Sequence, residues 1–480
     1  MHDDMPPVPD ISQEDWAATP PAVRVVLVTL QQQNQQFTQR IADLEARLNQ
    51  HSGNSSTPPS SDPPGAPPKP PRTPRGKPKS RGGQPGHPGQ HRPLLPPEQV
   101  DEMVTHTPSS CPHCTADLPT DLPDAAPAQR HQVTEVPPIH PHVTEHRLRA
   151  VCCPHCQRQM RATMPEAVPR SAFGPRLTAL TALLHGRYRL SDREVVEVLA
   201  DVVGVEMSLG SVPACCTRVS TALEPVYDAL VETLPQQPVV YVDETRWREA
   251  TQRCWLWVVV GAAATVFRIA ASRGKQVWQG MLGDDYAGIL TSDRLAAYNA
   301  HPLERRQLCW AHIQRNLRAI AEQGRDASLW ASEALTWVQL LFAIWQTYQA
   351  GQIDRATLQA ALEPVQDALW DCLQRGQAVR WAKARKLATK LWQQWDGLWT
   401  FAQVAGVEPT NNAAERAVRP AVLWRKGCFG TQSETGSRFV ERLLTVSATC
   451  RQHDKHLLSF LTAAVDARWS GQPAPTLVGG

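Results

Sequence analysis

The sequence predicts a multidomain chain built around a mixed α/β catalytic core that is interrupted by a helical insertion. Three observations carry this. Apolar strand-like runs recur between residues 237 and 309 and alternate with helical patterns, as a mixed layer structure requires. A Trp-rich helical stretch then separates these runs from the next polar motif. Upstream, heptad-like spacing, a Pro/Gly-rich basic tract and two Cys-x-x-Cys pairs mark different modules. At 480 residues the chain exceeds one ordinary core.

The strand runs come first. "QPVVYVDET" is a continuous apolar run ending in Asp243; "CWLWVVV" and "TVFRIA" follow, joined by the short "GAAA". "AGILTSDRLAAYN" is a further run ending in Asp293, and "RQLCW" leads into the helix "AHIQRNLRAIAEQ". Three successive strands, a helix-containing connection and a fourth strand is the order of a ribonuclease-H-like sheet. An Asp ending a buried strand costs desolvation energy unless its charge is compensated. Two such residues on neighbouring strands suit hard divalent cations, which take oxygen ligands and clamp the attacking and leaving oxygens of phosphoryl transfer. Such a site needs a third carboxylate.

Residues 326–400, with "SLWASEALTWVQLLFAIWQTYQAG" and "RWAKARKLATKLWQQWDGLWTFA", read as a helical insertion whose tryptophans form a core. The next candidate carboxylate is Glu415 in "PTNNAAERAVRP". Its plain reading is capping: Asn412 as N-cap, Glu415 at the third helical position reaching back, and Pro420 closing the helix. Glu244, Asp284 and Asp285 compete for places in the carboxylate set, the last two resembling turn residues.

The upstream modules follow. Val23, Leu27, Leu30, Phe37, Ile41, Leu44 and Leu48 recur at coiled-coil spacing with Asn34 in a core slot, predicting self-association as a homodimer or higher. Between Pro63 and Pro97 there is no Asp or Glu, while Lys69, Arg72, Arg75, Lys77, Lys79, Arg81 and Arg92 supply positive charge for a polyanion such as DNA. "CPHC" occurs at 111–114 and again at 153–156. Cys111, Cys114, Cys153 and Cys156 suit a structural Zn²⁺, with His113, His155 and Cys152 as substitute ligands and "HVTEHRLRAV" as an inserted hairpin strand. From Arg170 to Leu234 the pattern is helical, with Ser191 and Ser208 as N-caps and Gly204 as a stop, consistent with a helix-turn-helix.

The chain accordingly divides into a disordered N-terminus (1–21), a coiled coil (22–50), a basic linker (51–98), a zinc ribbon (99–166) and a helix-turn-helix-like DNA-binding region (167–236). The catalytic domain begins at 237–322, is interrupted at 323–405 and resumes with the third acidic residue at 406–432, before a C-terminal helical region (433–480). The acidic, Pro-broken N-terminus is no secretory signal, and the longest apolar run is interrupted by Gly261 and Arg268. With twelve cysteines read as thiols or metal ligands, a soluble cytoplasmic protein with no membrane segment is expected.

"YVDET", "SDRLAAYN", "CWAHIQRNL" and "NNAAERAVRPAVLWRKGCFGTQSETGSRF" occur in that order and resemble the motifs of the insertion sequence 66 family of bacterial DDE transposases. The likeness extends upstream through the Cys pairs and "GGQPGH" to the zipper. It implies that Asp243, Asp293 and Glu415 form a catalytic triad binding Mg²⁺ or Mn²⁺. It further implies DNA cleavage at element ends and strand transfer into target DNA, with the protein associated with the nucleoid through DNA and aided by small accessory proteins of the same element. Arg416, Arg419, Arg425 and Lys426 are then candidates for phosphate contacts, and His312 for DNA contact or a structural hydrogen bond. The competing readings are a ribonuclease-H-like nuclease without strand transfer and a non-catalytic DNA-binding regulator.

Overall fold

The computed structural model describes residues 13–19, 35, 38, 41, 93–119, 122–165, 168, 171–323 and 327–477. Most of the predicted coiled coil, and the basic residues Lys77, Lys79 and Arg81, lie outside these. The chain divides into two units, residues 71–142 and residues 143–480 with 1–70. A helix at Gln13–Ala18 (α1), with Trp16 buried, occupies part of the segment expected to be disordered.

In the smaller unit, Gln132 accepts the Leu95 amide through Oε1 at 2.8 Å and donates to the Leu95 carbonyl through Nε2 at 3.0 Å. Its CPHC turn is closed by the Cys111 amide donating to Ala116 O and the Thr115 amide donating to Cys111 O, at 2.9 and 2.8 Å. The CPHC turn of the larger unit repeats this pattern. Cys153 N–H donates to Arg158 O at 2.9 Å, and Gln157 N–H donates to Cys153 O at 2.8 Å. Thr115 and Gln157 take the same left-handed φ, 59° and 55°. The second turn joins two short antiparallel strands, Ala150–Cys152 (β1) and Gln159–Arg161 (β2). The strand expected over "HVTEHRLRAV" is confined to its last two residues, because pairing with β2 ends at Ala150.

The larger unit continues with Pro175–Ala182 (α2), Asp192–Val198 (α3) and Ser211–Thr233 (α4). Ser191 caps α3 with a complete capping box, and Gly204 ends the helical run in a left-handed conformation. Ser208 is not the next N-cap. Gly210 holds that place, and the Ser208 hydroxyl instead pairs with Ser211 Oγ at 2.8 Å. The buried stripe of α4, including Val212, Val219, Leu223 and Leu230, belongs to the same hydrophobic core as the sheet.

That sheet has five strands in the order β5-β4-β3-β6-β7: Val239–Glu249 (β3), Gln252–Val260 (β4), Thr265–Ala270 (β5), Ile289–Ser292 (β6) and Arg306–Leu308 (β7). The β3–β4–β5 meander is antiparallel, while β6 pairs parallel with β3 and β7 parallel with β6. Helix Lys275–Leu282 (α5) lies in the connection to β6. Strand β3 does not end at Asp243, since its pairing with β4 continues to Glu249. Only its pairing with β6 stops earlier, at Tyr241↔Thr291.

A second core holds Trp310–Ala321 (α6), Ala327–Gln349 (α7), Arg355–Gly376 (α8), Ala382–Gln393 (α9) and Thr400–Gln403 (α10), against which Val239 and Ile289 of the sheet pack. Trp310, Trp330, Trp345 and Trp399 are buried in it, as the reading of these tryptophans as core requires. Helix α7 is long and apolar enough to cross a membrane by composition, but its buried face is part of this core.

Three further helices complete the unit: Asn412–Cys428 (α11), Glu434–Gln452 (α12) and Leu457–Ser470 (α13). Helix α12 covers the free edge of β5. Glu441 Oε1, Thr445 Oγ1 and Thr449 Oγ1, spaced four apart, accept from the amides of Ile269, Phe267 and Thr265, spaced two apart. The periodicities match because two helical positions four apart rise about 6 Å, as two strand residues do. An edge that would otherwise invite pairing with another chain is thereby closed.

Candidate active site

Asp243 and Asp293 are brought level by strand register. The pairs Val239↔Ile289, Val240↔Leu290 and Tyr241↔Thr291 leave Asp243 and Asp293 each two residues beyond the last pair. Asp243 Oδ1 accepts the Glu244 amide at 2.9 Å, and Asp293 Oδ1 accepts the Leu295 amide at 2.8 Å, so each carboxylate is braced by the local backbone. Burial, and then the charges of Glu244, Asp293 and Glu415, hold the Asp243 carboxyl well above its usual range. The charges of Asp293 and Glu415 thus both bear on the buried Asp243 carboxyl.

Glu415 reaches it through a set of bonds centred on Asn411. The Asn411 side chain, fully buried, donates from Nδ2 to the carbonyl of Val242 at 2.8 Å, one residue before Asp243. Its amide donates to Cys309 Sγ at 3.2 Å, and its carbonyl accepts the Glu415 amide at 3.1 Å. Trp310 N–H, at the start of α6, donates to Pro409 O at 2.9 Å. One residue thus ties β3, the segment after β7 and the first turn of α11 together. This corrects two expectations. The N-cap is Asn411 and not Asn412, and it makes no side-chain cap, because its amide group is committed to β3. Pro420 does not end the helix, which runs on to Cys428, since packing of α11 on β3 and β4 outweighs one missing backbone bond.

Glu244 is excluded from a free ligand set by its own partners. Its Oε1 accepts from Arg273 Nε and Nη2 at 3.0 and 2.7 Å, and its Oε2 accepts from Tyr298 Oη at 2.6 Å. Arg273 also stacks over Trp255, 4.4 Å from the ring centre. Asp284 and Asp285 are exposed turn residues between α5 and β6.

His312 lies one turn into α6. Its Nδ1 is 3.3 Å from Glu415 Oε1, both side chains being about 28–29% exposed. Both atoms are shielded from solvent, yet neither is in hydrogen-bond geometry with a partner. Burial pushes the His312 imidazole below its ordinary range, against the opposing pull of Glu415. Donor atoms of Cys309, His312 and Glu415 all fall within 4.8 Å of one another. Cys309, Asn411, Tyr298 and Arg273 were not singled out in the sequence. The Cys-x-x-His spacing and the Asn doublet were the available signals.

Of the basic candidates, Arg416 and Arg419 are exposed on α11, and Lys426 is exposed near its end. Arg425 is partly buried and donates from Nη1 to Thr245 Oγ1 at 2.9 Å and to the Arg246 carbonyl, so it secures α11 to β3. After α11, Gly430 adopts φ 124° and the Thr431 amide donates to Arg248 O at 2.9 Å. A Cβ at Gly430 would stand 2.2 Å from that same carbonyl, which explains the glycine in "CFGTQ".

At the Cys pairs, amides of His113 and Cys114 lower the Cys111 thiol below its ordinary range, as those of Cys156 and His155 do for Cys153. Both turns thus favour thiolate, the form that binds metal.

The family described as "Transposase IS66 family" matches residues 170–438, and a family of unknown function, DUF6444, matches residues 4–93. Among curated proteins, the chain is 26% identical over 347 residues to the uncharacterized protein y4hP of Sinorhizobium fredii, covering 64% of this chain and 62% of that one. It is 27% identical over 263 residues to y4jD of the same organism, covering 46% and 48%. The chain thus spans about half to three-fifths of the length of these relatives. With more than half of its residues matched by that one family, the chain belongs to the insertion sequence 66 family of transposases.

Proposed function

We propose that this protein is an active DDE transposase, which cleaves DNA at the ends of its insertion sequence and joins the freed 3′ ends to target DNA. The observation that carries the reading is that Asp293 and Glu415, from two other chain segments, both bear electrostatically on the buried carboxyl of Asp243. Each lies at a point of the fold that strand register or Asn411 fixes. The strand order, with an antiparallel meander followed by two parallel strands, supports a ribonuclease-H-like core.

The donor set suits a hard divalent cation. Several carboxylates crowd one partly desolvated place and raise the proton affinity of Asp243, a penalty that Mg²⁺ or Mn²⁺ would relieve. Asp243, Asp293 and Glu415 would hold it, and when bound it supplies charge neutralisation at the phosphate and a nucleophilic oxygen at neutral pH. The protein's own part is positioning. Register fixes two carboxylates, Asn411 aims the third, and exposed Arg416 and Arg419 offer bidentate phosphate contacts beside them. Arg425 is better assigned to holding α11 on β3. DNA is the partner, and homodimerisation through residues 22–50 and small accessory proteins remain part of the proposal. The structural Zn²⁺ expected from the spacing of the two Cys-x-x-Cys pairs remains part of the proposal.

The test uses DNA carrying the terminal inverted repeats of the element. Asp243→Asn, Asp293→Asn and Glu415→Gln should each abolish Mg²⁺-dependent cleavage while retaining DNA binding. Retained cleavage by Glu415→Gln defeats the assignment, and cleavage by the parent without strand-transfer products leaves a plain nuclease. Native mass spectrometry should show a tightly held zinc that is lost on Cys111→Ser.

A further inference from the structure

Beside the three carboxylates is a second donor set of different chemistry. Cys309 ends the segment after β7, His312 lies three residues on, and Glu415 approaches from α11. The His312 Nδ1 to Glu415 Oε1 separation is 3.3 Å, and neither atom has a hydrogen-bond partner although both are shielded from solvent. Distance alone makes them an ion pair when the imidazole is protonated; with Nδ1 unprotonated, a shared cation satisfies both. The spacing fits a shared cation as well as an ion pair. Zn–N and Zn–O bonds of about 2.0–2.1 Å in a tetrahedron give an N···O edge of about 3.3 Å. One donor atom from each of Cys309, His312 and Glu415 lies within 4.8 Å of the others, a side-chain adjustment from the corresponding sulfur edge of about 3.5 Å. The Asn411 amide already donates to that sulfur, the kind of outer contact that orients a thiolate ligand.

We propose that Cys309, His312 and Glu415 form a distinct site for a borderline-soft dication such as Zn²⁺, whose occupation withdraws Glu415 from the carboxylate set. A thiolate and an imidazole discriminate against Mg²⁺ and favour Zn²⁺, while Asp243 and Asp293 keep the opposite preference. Glu415 is common to both groups and serves one at a time. The partial exposure of His312 and Glu415 gives an ion a route in. Metal binding here depends only on these three side chains. Its effect on catalysis rests on Glu415 serving the reaction as proposed above.

The experiment uses the full chain as purified, its zinc content first measured, titrated with further Zn²⁺ against a chromophoric chelator and with Co²⁺ followed by its thiolate charge-transfer absorption. The parent should bind one additional ion with that absorption. Cys309→Ser should abolish the absorption, and both Cys309→Ser and His312→Gln should weaken the additional ion by at least about tenfold. His312→Gln keeps the test decisive if the cysteine variant fails to fold. Equal stoichiometry and affinity in all three proteins would overturn the site. At fixed Mg²⁺, Zn²⁺ should inhibit DNA cleavage by the parent, and Cys309→Ser should need at least about tenfold more for the same fractional inhibition of its own rate. Zinc bound without inhibition would overturn the withdrawal of Glu415. A parent that binds the ion but never cleaves DNA would instead defeat the proposed function and leave the site standing.

Discussion

Replacing Asn411 tests the link between fold and chemistry most directly. The side chain is fully buried and donates to the Val242 carbonyl at 2.8 Å, while its backbone serves Cys309 and Glu415 and survives substitution. Asn411→Ala leaves the Val242 carbonyl without its donor, which costs about 1–3 kcal/mol for a buried group. Asn411 Oδ1 has no hydrogen-bond partner, so nothing is lost on that side. The expected loss of stability is therefore about 1–3 kcal/mol, read as a lower urea midpoint with unchanged slope. Asn411→Asp should be worse. It also removes the donor, and it buries a charge next to a carbonyl and close to Glu415.

The catalytic effect is separable from the stability effect. A shift of about 1 Å in a positioned group can lower a rate about 100-fold, so Asn411→Ala should cleave repeat-end DNA about 100-fold more slowly under conditions where it is fully folded. It should also require more Mg²⁺ for half-maximal rate, because Glu415 is no longer held toward Asp243. The measurement is single-turnover cleavage across a Mg²⁺ series, alongside urea unfolding. An Asn411→Ala protein within about 0.5 kcal/mol of the parent, with the same Mg²⁺ dependence, would refute the role given to Asn411.

Two further outcomes follow from the scaffold around the site. Burial lifts the Glu441 carboxyl to about 7 from an ordinary 4.5, against the pull of Arg438. A carboxyl raised in the folded state stabilises fully below about pH 4.5, and that contribution, about 3 kcal/mol, is lost as pH rises through about 7. Glu441→Gln keeps an acceptor for the Ile269 amide, so thermal midpoints measured from pH 4.5 to 8 should vary less than the parent's; parallel profiles would reject this. Gly430→Ala should destabilise by about 1–3 kcal/mol in urea unfolding, because φ is positive and its Cβ would stand 2.2 Å from Arg248 O. Unchanged stability would show that the turn accommodates a side chain.

The parts of the molecule legible in the sequence are those written as local pattern. Apolar runs located β3, β4, β5 and β6, and the spacing of tryptophans foretold a second core between Asp293 and Glu415. Ser191 announced its capping box, because that motif is complete within four residues. Features decided by distant partners were not legible. Asn412 looked like the cap, yet Asn411 holds that place and lends its side chain to a strand 169 residues away. Pro420 looked like a stop, yet packing carries the helix eight residues further. Glu244 looked like a competitor for the carboxylate set, but the partners that occupy it, Arg273 and Tyr298, are visible only in three dimensions.

The same distinction explains why the helix of Glu415 is so heavily anchored. Burial of Asp243, with the charges of Glu244, Asp293 and Glu415 around it, raises the cost of ionising that carboxyl and so opposes folding. Some of that cost is met locally, by the amides of Glu244 and Leu295 and by the first turn of α11, where a negative side chain is favoured. The remainder must come from contacts remote from the carboxylates. Asn411 fastens the start of α11 to β3, Arg425 fastens its last turn to Thr245 and Arg246, and the Gly430–Thr431 turn clasps Arg248 beyond it. Three attachments to one strand fix the backbone of α11, leaving only the Glu415 side chain free to turn between Asp243 and His312. Glu415 is therefore held in place from both ends of its helix, and its local capping geometry is a minor part of why it stands there.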